Sequence, residues 1–85
     1  MAKVEMYNSD LCPFCYRARA LLEQKGVTVE LYSVDGNDQR HREMSQRTGR
    51  TSVPQIFIDD EHIGGCDDLY ALERAAGLDA KLGLA

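Results

Sequence analysis

Eighty-five residues, 44% hydrophobic and 28% charged, suffice for one modest core, so the chain reads as a single domain over 1–85. A net charge of −4 excludes nucleic acid as the main partner, because phosphate binding needs a basic surface. No apolar run approaches the roughly 20 residues of a membrane span, and the N-terminus lacks a signal-peptide apolar region, which sets the expectation of a cytoplasmic protein away from membranes.

Lys3 to Tyr7 alternates polar and apolar residues and suits a short strand, with Asn8 to Leu11 as the following loop. The helix after Cys12 carries Phe14, Ala18, Leu21 and Leu22 as an apolar stripe of helical period and ends at Lys25-Gly26. Val27 to Val34 is rich in β-branched residues and reads as a second strand. Strand, helix, strand in this order implies a right-handed βαβ unit. Asn37 can cap a surface helix running to about Arg47 and closed by Gly49, with Met44 and His41 its only candidates for burial.

Gln55–Ile58 and Glu61–Ile63, separated by Asp59-Asp60, form an antiparallel hairpin. Asp67 and Asp68 follow Gly64-Gly65, where a helix N-terminus favours negative charge. Leu69, Leu72 and Ala76 give that helix its buried stripe, Gly77 ends it, and Leu78 to Ala85 adds one turn. The order β-α-β-α-β-β-α specifies an α/β fold: a four-stranded mixed sheet with three helices on its two faces. Ligands in such folds gather beyond the carboxyl ends of the parallel strands, which is where Cys12 lies.

Cys12-Pro13-Phe14-Cys15 is the centre of the chemistry. Residues i and i+3 of a helix share a face, so the two sulfurs can close a small disulfide ring. Pro13 suits the first helical position, leaving Cys12 at the N-cap, where unpaired N–H groups favour the thiolate nucleophile. Cys15 falls one turn inside, shielded. Three cysteines, an odd number, argue against a secreted disulfide framework, and a lone Cys-x-x-Cys in a βαβ context reads as a redox motif. A zinc site would need further ligands, and Cys66, His41 and His62 are not paired at ligand spacing.

Two further stretches bear on binding. Pro54 opens the hairpin; a cis Val53–Pro54 bond would turn the Val53 backbone toward the cysteine loop, ready to pair with a peptide-like substrate. The Gly64-Gly65-Cys66-Asp67-Asp68 turn combines a helix N-terminus with a carboxylate, which suits a zwitterionic amino-acid end. Charge is segregated: Arg40 to Arg50 holds four arginines and one glutamate, whereas Asp59 to Asp79 holds seven acids against Arg74. The basic stretch is either a solvated face or a flank that attracts an anionic thiol. Cys66 reads as a small buried hydrophobe, and Tyr16, Tyr32 and Tyr70 as packing residues.

With Cys12-Pro13-Phe14-Cys15, Ser52-Val53-Pro54 and Gly64-Gly65-Cys66-Asp67-Asp68 at this spacing, the whole chain resembles a dithiol glutaredoxin, most nearly of the bacterial glutaredoxin 3 type. The resemblance implies a thioredoxin-like fold, a cis Pro54, and a glutathione-dependent thiol–disulfide oxidoreductase with Cys12 as nucleophile and Cys15 as resolving thiol. Glutathione is implied as co-substrate, with no bound cofactor or metal, and glutathionylated or disulfide-bearing proteins as partners of a monomer. Phe14, Val53, Pro54, Cys66 through its backbone, and Asp67 are the implied glutathione contacts. The family usually has lysine where this chain has Ser9, so an arginine near Arg40 is expected to take over the glycyl carboxylate. Tyrosine is common where Phe14 stands. The alternative is a carrier of an iron–sulfur cluster ligated by Cys12 and glutathione.

Overall fold

The computed structural model describes residues 2–84. Its elements are β1 (Val4–Asn8), α1 (Pro13–Gln24), β2 (Val29–Ser33), α2 (Asp38–Thr48), β3 (Gln55–Ile58), β4 (Glu61–Gly64), α3 (Cys66–Arg74) and the single turn α4 (Leu78–Lys81). The strands stand in the order β2-β1-β3-β4, with β1 parallel to β2 and antiparallel to β3. The mixed sheet is the expected one, and α4 is the added turn that the C-terminal residues foreshadow. Ala85, the far end of that expected turn, lies outside the described residues, as does Met1. No helix among them is long and apolar enough to cross a membrane.

The alternation in β1 has a different meaning from the one the sequence suggests. All five of its residues are buried, Glu5 and Asn8 included. β1 is central, and helices cover both of its faces. Val4 and Met6 join Ile56 and Ile58 of β3 against Ala18, Leu21 and Leu22 of α1 and Leu69 of α3. Tyr7 and Phe57 face the other way, against Met44 of α2. Residues of opposite parity thus feed two separate cores, as the two-residue period of a strand requires.

Capping sets the helix ends. Asn37 accepts the Arg40 N–H at 3.0 Å, and Gly49 closes α2 in the left-handed conformation with φ +72°. Asp68, at the third position of α3, accepts the Gly65 N–H at 2.9 Å. Gly64 is required beside that cap: its φ is +118°, and a Cβ there would meet the Asp68 carboxylate at 2.2 Å. Ala76 departs from expectation. It is exposed with φ +59°, past the last turn of α3, so it belongs to the turn and not to the buried stripe.

Candidate active site

Strand β1 delivers the chain to Cys12 through a three-residue loop, and Pro13 starts α1 with its missing N–H at an end where no partner exists. Cys12 is the N-cap: its Sγ accepts the Cys15 N–H at 3.2 Å and lies 3.7 Å from the Val53 carbonyl oxygen. Both thiols are free, with Cys12 partly accessible and Cys15 buried. Burial, reinforced by the adjacent Cys12 sulfur, pushes the Cys15 thiol up to about 12. The asymmetry expected of the motif is present: one thiol that a substrate can reach, and one held as a protonated thiol beneath it.

The Val53–Pro54 bond is cis. His41 Nε2 lies 2.9 Å from the Thr51 carbonyl and Gln55 Nε2 donates to the Ser52 carbonyl at 3.0 Å, so α2 and β3 hold this segment from both ends. His41 is half-buried, and this contact is its role.

A groove of about 300 Å³ runs beside the cysteines, lined among others by Phe14, Arg50, Val53, Pro54, Cys66 and Asp67. Five of the six residues expected to contact glutathione therefore share one surface. The apolar stripe of α1 divides in two: Phe14 is 52% exposed and lines the groove, while Ala18, Leu21 and Leu22 are buried. Cys66 is buried, as expected of a small hydrophobe, and burial raises its thiol above the ordinary range.

Arg40 does not join this surface. Its guanidinium lies 4.3 Å over the Tyr32 ring and pairs with Glu43 at 2.9 Å, in a separate depression with Asn37 and Gln39. The arginine that lines the groove is Arg50, which pairs with Asp68 at 3.1 Å. Arg47 likewise pairs with Glu5 and Asp60. Three of the four arginines of the basic stretch are thus engaged in local pairs, which shrinks its reach as a free anion-attracting flank. Asp67 and Asp68 separate in role: Asp68 is consumed by the cap and Arg50, leaving Asp67 exposed at the groove.

Sequence reasoning missed Asp35. Its carboxylate accepts Ser9 Oγ–H at 2.6 Å and Asp10 N–H at 2.9 Å, clamping the loop before Cys12. These two bonds hold the carboxyl below its ordinary range. The signal was available in the parallel pairing, since Asn8 opposite Ser33 sets residues 33–35 beside 8–10. Tyr16 also departs from expectation: it is 70% exposed, whereas Tyr32 and Tyr70 hydrogen-bond to Glu5 and to the Arg17 carbonyl.

Comparison with known proteins agrees with this geometry. A glutaredoxin family model matches residues 4–63. Glutaredoxin 3 of Escherichia coli K12 is 57% identical over 82 residues, which cover 96% of this chain and 99% of that one. The solution structure of glutaredoxin from Brucella melitensis matches with a TM-score of 0.86 and 44% identity, covering 99% of this chain and 91% of that one. A crystal structure of a buckwheat glutaredoxin–glutathione complex matches with a TM-score of 0.89 and 28% identity, covering 96% and 77%. The sheet order and the helices on its two faces are those of the thioredoxin-like fold these structures share. The cysteine pair at the head of α1, the groove beside it and a near full-length match to curated relatives lead to one conclusion: this chain belongs to the glutaredoxin family of glutathione-dependent thiol oxidoreductases.

Proposed function

We propose that the chain reduces glutathione mixed disulfides and protein disulfides, with glutathione as the electron donor. The observation that carries this is the position of Cys12 Sγ. It sits at a helix N-cap, 3.7 Å from the Val53 carbonyl, which lines a groove bearing a cation, Arg50, and a free acid, Asp67. Glutathione is a peptide with a thiol, two carboxylates and one ammonium. In this reading its cysteine backbone pairs with Val53, and its γ-glutamyl end meets the first turn of α3 at Cys66, with Asp67 accepting from the ammonium. Arg50, in the place first assigned to Arg40, takes a carboxylate and is drawn partly away from Asp68 to do so. The glutathione complex of the buckwheat relative supports this use of the groove.

The chemistry is thiol–disulfide exchange. The Cys12 thiolate attacks the glutathione sulfur of a glutathionylated protein. The S–S bond breaks, the protein sulfur leaves with the electron pair and takes up a proton, and Cys12 carries glutathione. A second glutathione thiolate attacks that glutathione sulfur, so Cys12 leaves as thiolate and glutathione disulfide departs. With a protein disulfide, Cys12 forms a mixed disulfide with one protein sulfur, and the other leaves as a thiol. Cys15 then gives up its proton and attacks Cys12, which expels the remaining protein thiol and leaves a Cys12–Cys15 disulfide. Two glutathiones reduce it and leave as their own disulfide.

Only Cys12 is needed for the first route. Cys12→Ser is expected to abolish turnover in a glutathione-coupled assay, while Cys15→Ser keeps mixed-disulfide reduction and loses reduction of protein disulfides. Equal loss of mixed-disulfide reduction in both variants would overturn these roles.

A further inference from the structure

Large hydrophobic side chains are exposed at five of the described positions, and three of these flank the nucleophile: Leu11 at 91%, Phe14 at 52% and Tyr16 at 70%. Single exposed apolar residues are ordinary, but a cluster around a reactive centre marks a contact surface. Leu11 is not loosely hung. The Asp35 carboxylate holds Ser9 Oγ–H and Asp10 N–H, Ser9 Oγ accepts the Leu11 N–H at 3.4 Å, and the Ser9 carbonyl accepts the Cys12 N–H at 3.3 Å. With the backbone pinned on both sides, the leucine is held out in solvent immediately before Cys12.

Next to it lies a depression of about 100 Å³ that includes Ser9, Asp10, Cys12, Tyr16 and Arg19 in its wall. It shares no lining residue with the glutathione groove. Its wall carries one acid and one base: Arg19 is engaged by Glu23 at 3.2 Å, which leaves the exposed Asp10 carboxylate as the charge open to a partner. Glutathione, with a net negative charge and no apolar side chain, gains nothing from such a surface.

We propose that Leu11, Tyr16 and Asp10 form the docking surface for the protein half of a mixed disulfide. The partner that fits is an extended protein segment with an apolar residue beside its cysteine and a lysine or arginine within reach of Asp10. This rests on the glutathione chemistry proposed above and specifies its other substrate. The glutathione half occupies the groove of Val53 and Asp67; the protein half leaves as thiol from the Leu11 side when Cys12 takes the glutathione. Continuity with Cys12 fixes the occupant, because whatever is joined to the attacked sulfur must cross this rim. The apolar contact removes Leu11 and Tyr16 from water, and the cation answers Asp10 at short range.

The test uses three glutathione mixed disulfides: a peptide with leucine and lysine flanking its cysteine, a peptide of equal length with serine and aspartate there, and the hydroxyethyl compound. Wild type is expected to prefer the first peptide over the second by roughly tenfold in kcat/KM, the scale of one good apolar contact plus a charge reversal. Leu11→Ser and Asp10→Asn should each cut that preference to about threefold or less, and leave the hydroxyethyl compound within about twofold of wild type. Both side chains are exposed, so neither change threatens folding. Wild type that turns over all three substrates but treats the two peptides alike overturns the docking surface alone. Turnover of none of them overturns the glutathione chemistry and the docking surface together. Variants that lose the hydroxyethyl compound as much as the peptides would show a role at Cys12 itself and would also overturn the proposal.

Discussion

Between the sheet and α1, α3 and α4 lie Val4, Met6, Ala18, Leu22, Ile56, Leu69 and Leu78, all apolar and all but sealed from solvent. Between the same sheet and α2, one residue along each strand, lie Glu5, Tyr7 and Phe57, and α2 supplies Met44 as its one buried hydrophobe. There Arg47 closes the surface. Its guanidinium donates to Glu5 at 3.1 and 3.3 Å and to Asp60 at 3.2 Å, and stacks 3.6 Å from the Phe57 ring centre. Tyr32 donates to Glu5 at 2.8 Å, and Tyr7 donates to Glu43. Both faces exclude water, but by different physics. The apolar face depends on volume and is indifferent to direction. The polar face depends on every partner being present, because one missing group strands a buried charge.

The division bears on catalysis. The apolar face anchors α1 and so fixes Cys12 and Cys15. The polar face anchors α2, whose His41 holds the Thr51 carbonyl in the segment leading to Val53. Cys12 and the Val53 backbone proposed to pair with glutathione are therefore positioned by opposite layers.

The largest expected effect tests the apolar layer. Leu22 is fully buried, so Leu22→Ala should cost roughly 3–5 kcal/mol of unfolding free energy, from lost burial plus the cavity left behind. Denaturant titration checks it, and the cost should not vary with salt. A loss under about 1 kcal/mol would mean that this face is not close-packed, and the contrast would lose one of its sides.

The next effect tests the polar layer. Arg47→Met keeps much of the side-chain volume over Phe57 but leaves Glu5 buried without its cation, and should cost about 2–3 kcal/mol, less than a fully buried pair because Arg47 retains some exposure. Glu5→Gln/Arg47→Met should recover part of that loss, since the stranded charge is gone. Purely additive costs in the double-mutant cycle would show that the two residues do not act as a pair.

This contrast also explains which parts were legible in the sequence. The apolar stripe at Ala18, Leu21 and Leu22 and the β-branched strands follow from local periodicity, and the cysteine motif from its own spacing and proline. Asn37 and Gly49 announced the ends of α2. What was illegible depends on residues brought together across the chain. Glu5 looked like the solvent-facing residue of a half-buried strand because nothing near it in sequence foretells Arg47, 42 positions away. Phe14 matched the helical period but is half-exposed along the groove, while Cys15 beside it in the first turn of α1 is buried. Arg40 was the plausible anion ligand by position in a basic stretch, yet Arg50, at the far end of the same stretch, is the one the α2–β3 connection turns into the groove. Asp35 became visible only once the strand register was known.

The smallest expected effect is the one that separates the two layers most cleanly, because it follows a proton. The Arg47 hydrogen bonds, with help from Tyr32 and against the burial penalty, hold the Glu5 carboxyl below its ordinary value. The folded state therefore prefers ionised Glu5 more strongly than the unfolded chain does. Glu5 contributes stability at pH values above the ordinary carboxylate range, and this contribution is lost as pH falls through that range toward the folded value. Arg47→Met removes the main cause of the lowering and leaves burial, which acts the other way. Acid should then weaken wild type more than the variant through this group, so the stability gap between them narrows from pH 7 to about pH 4. The gap between wild type and Leu22→Ala should stay constant over the same span, because no titrating group is involved. Unfolding free energies from urea titrations at several pH values would measure both gaps at once. If the Arg47→Met gap holds constant while other carboxylates titrate, the Glu5 charge contributes nothing to the polar layer, and Arg47 acts there only through its packing over Phe57.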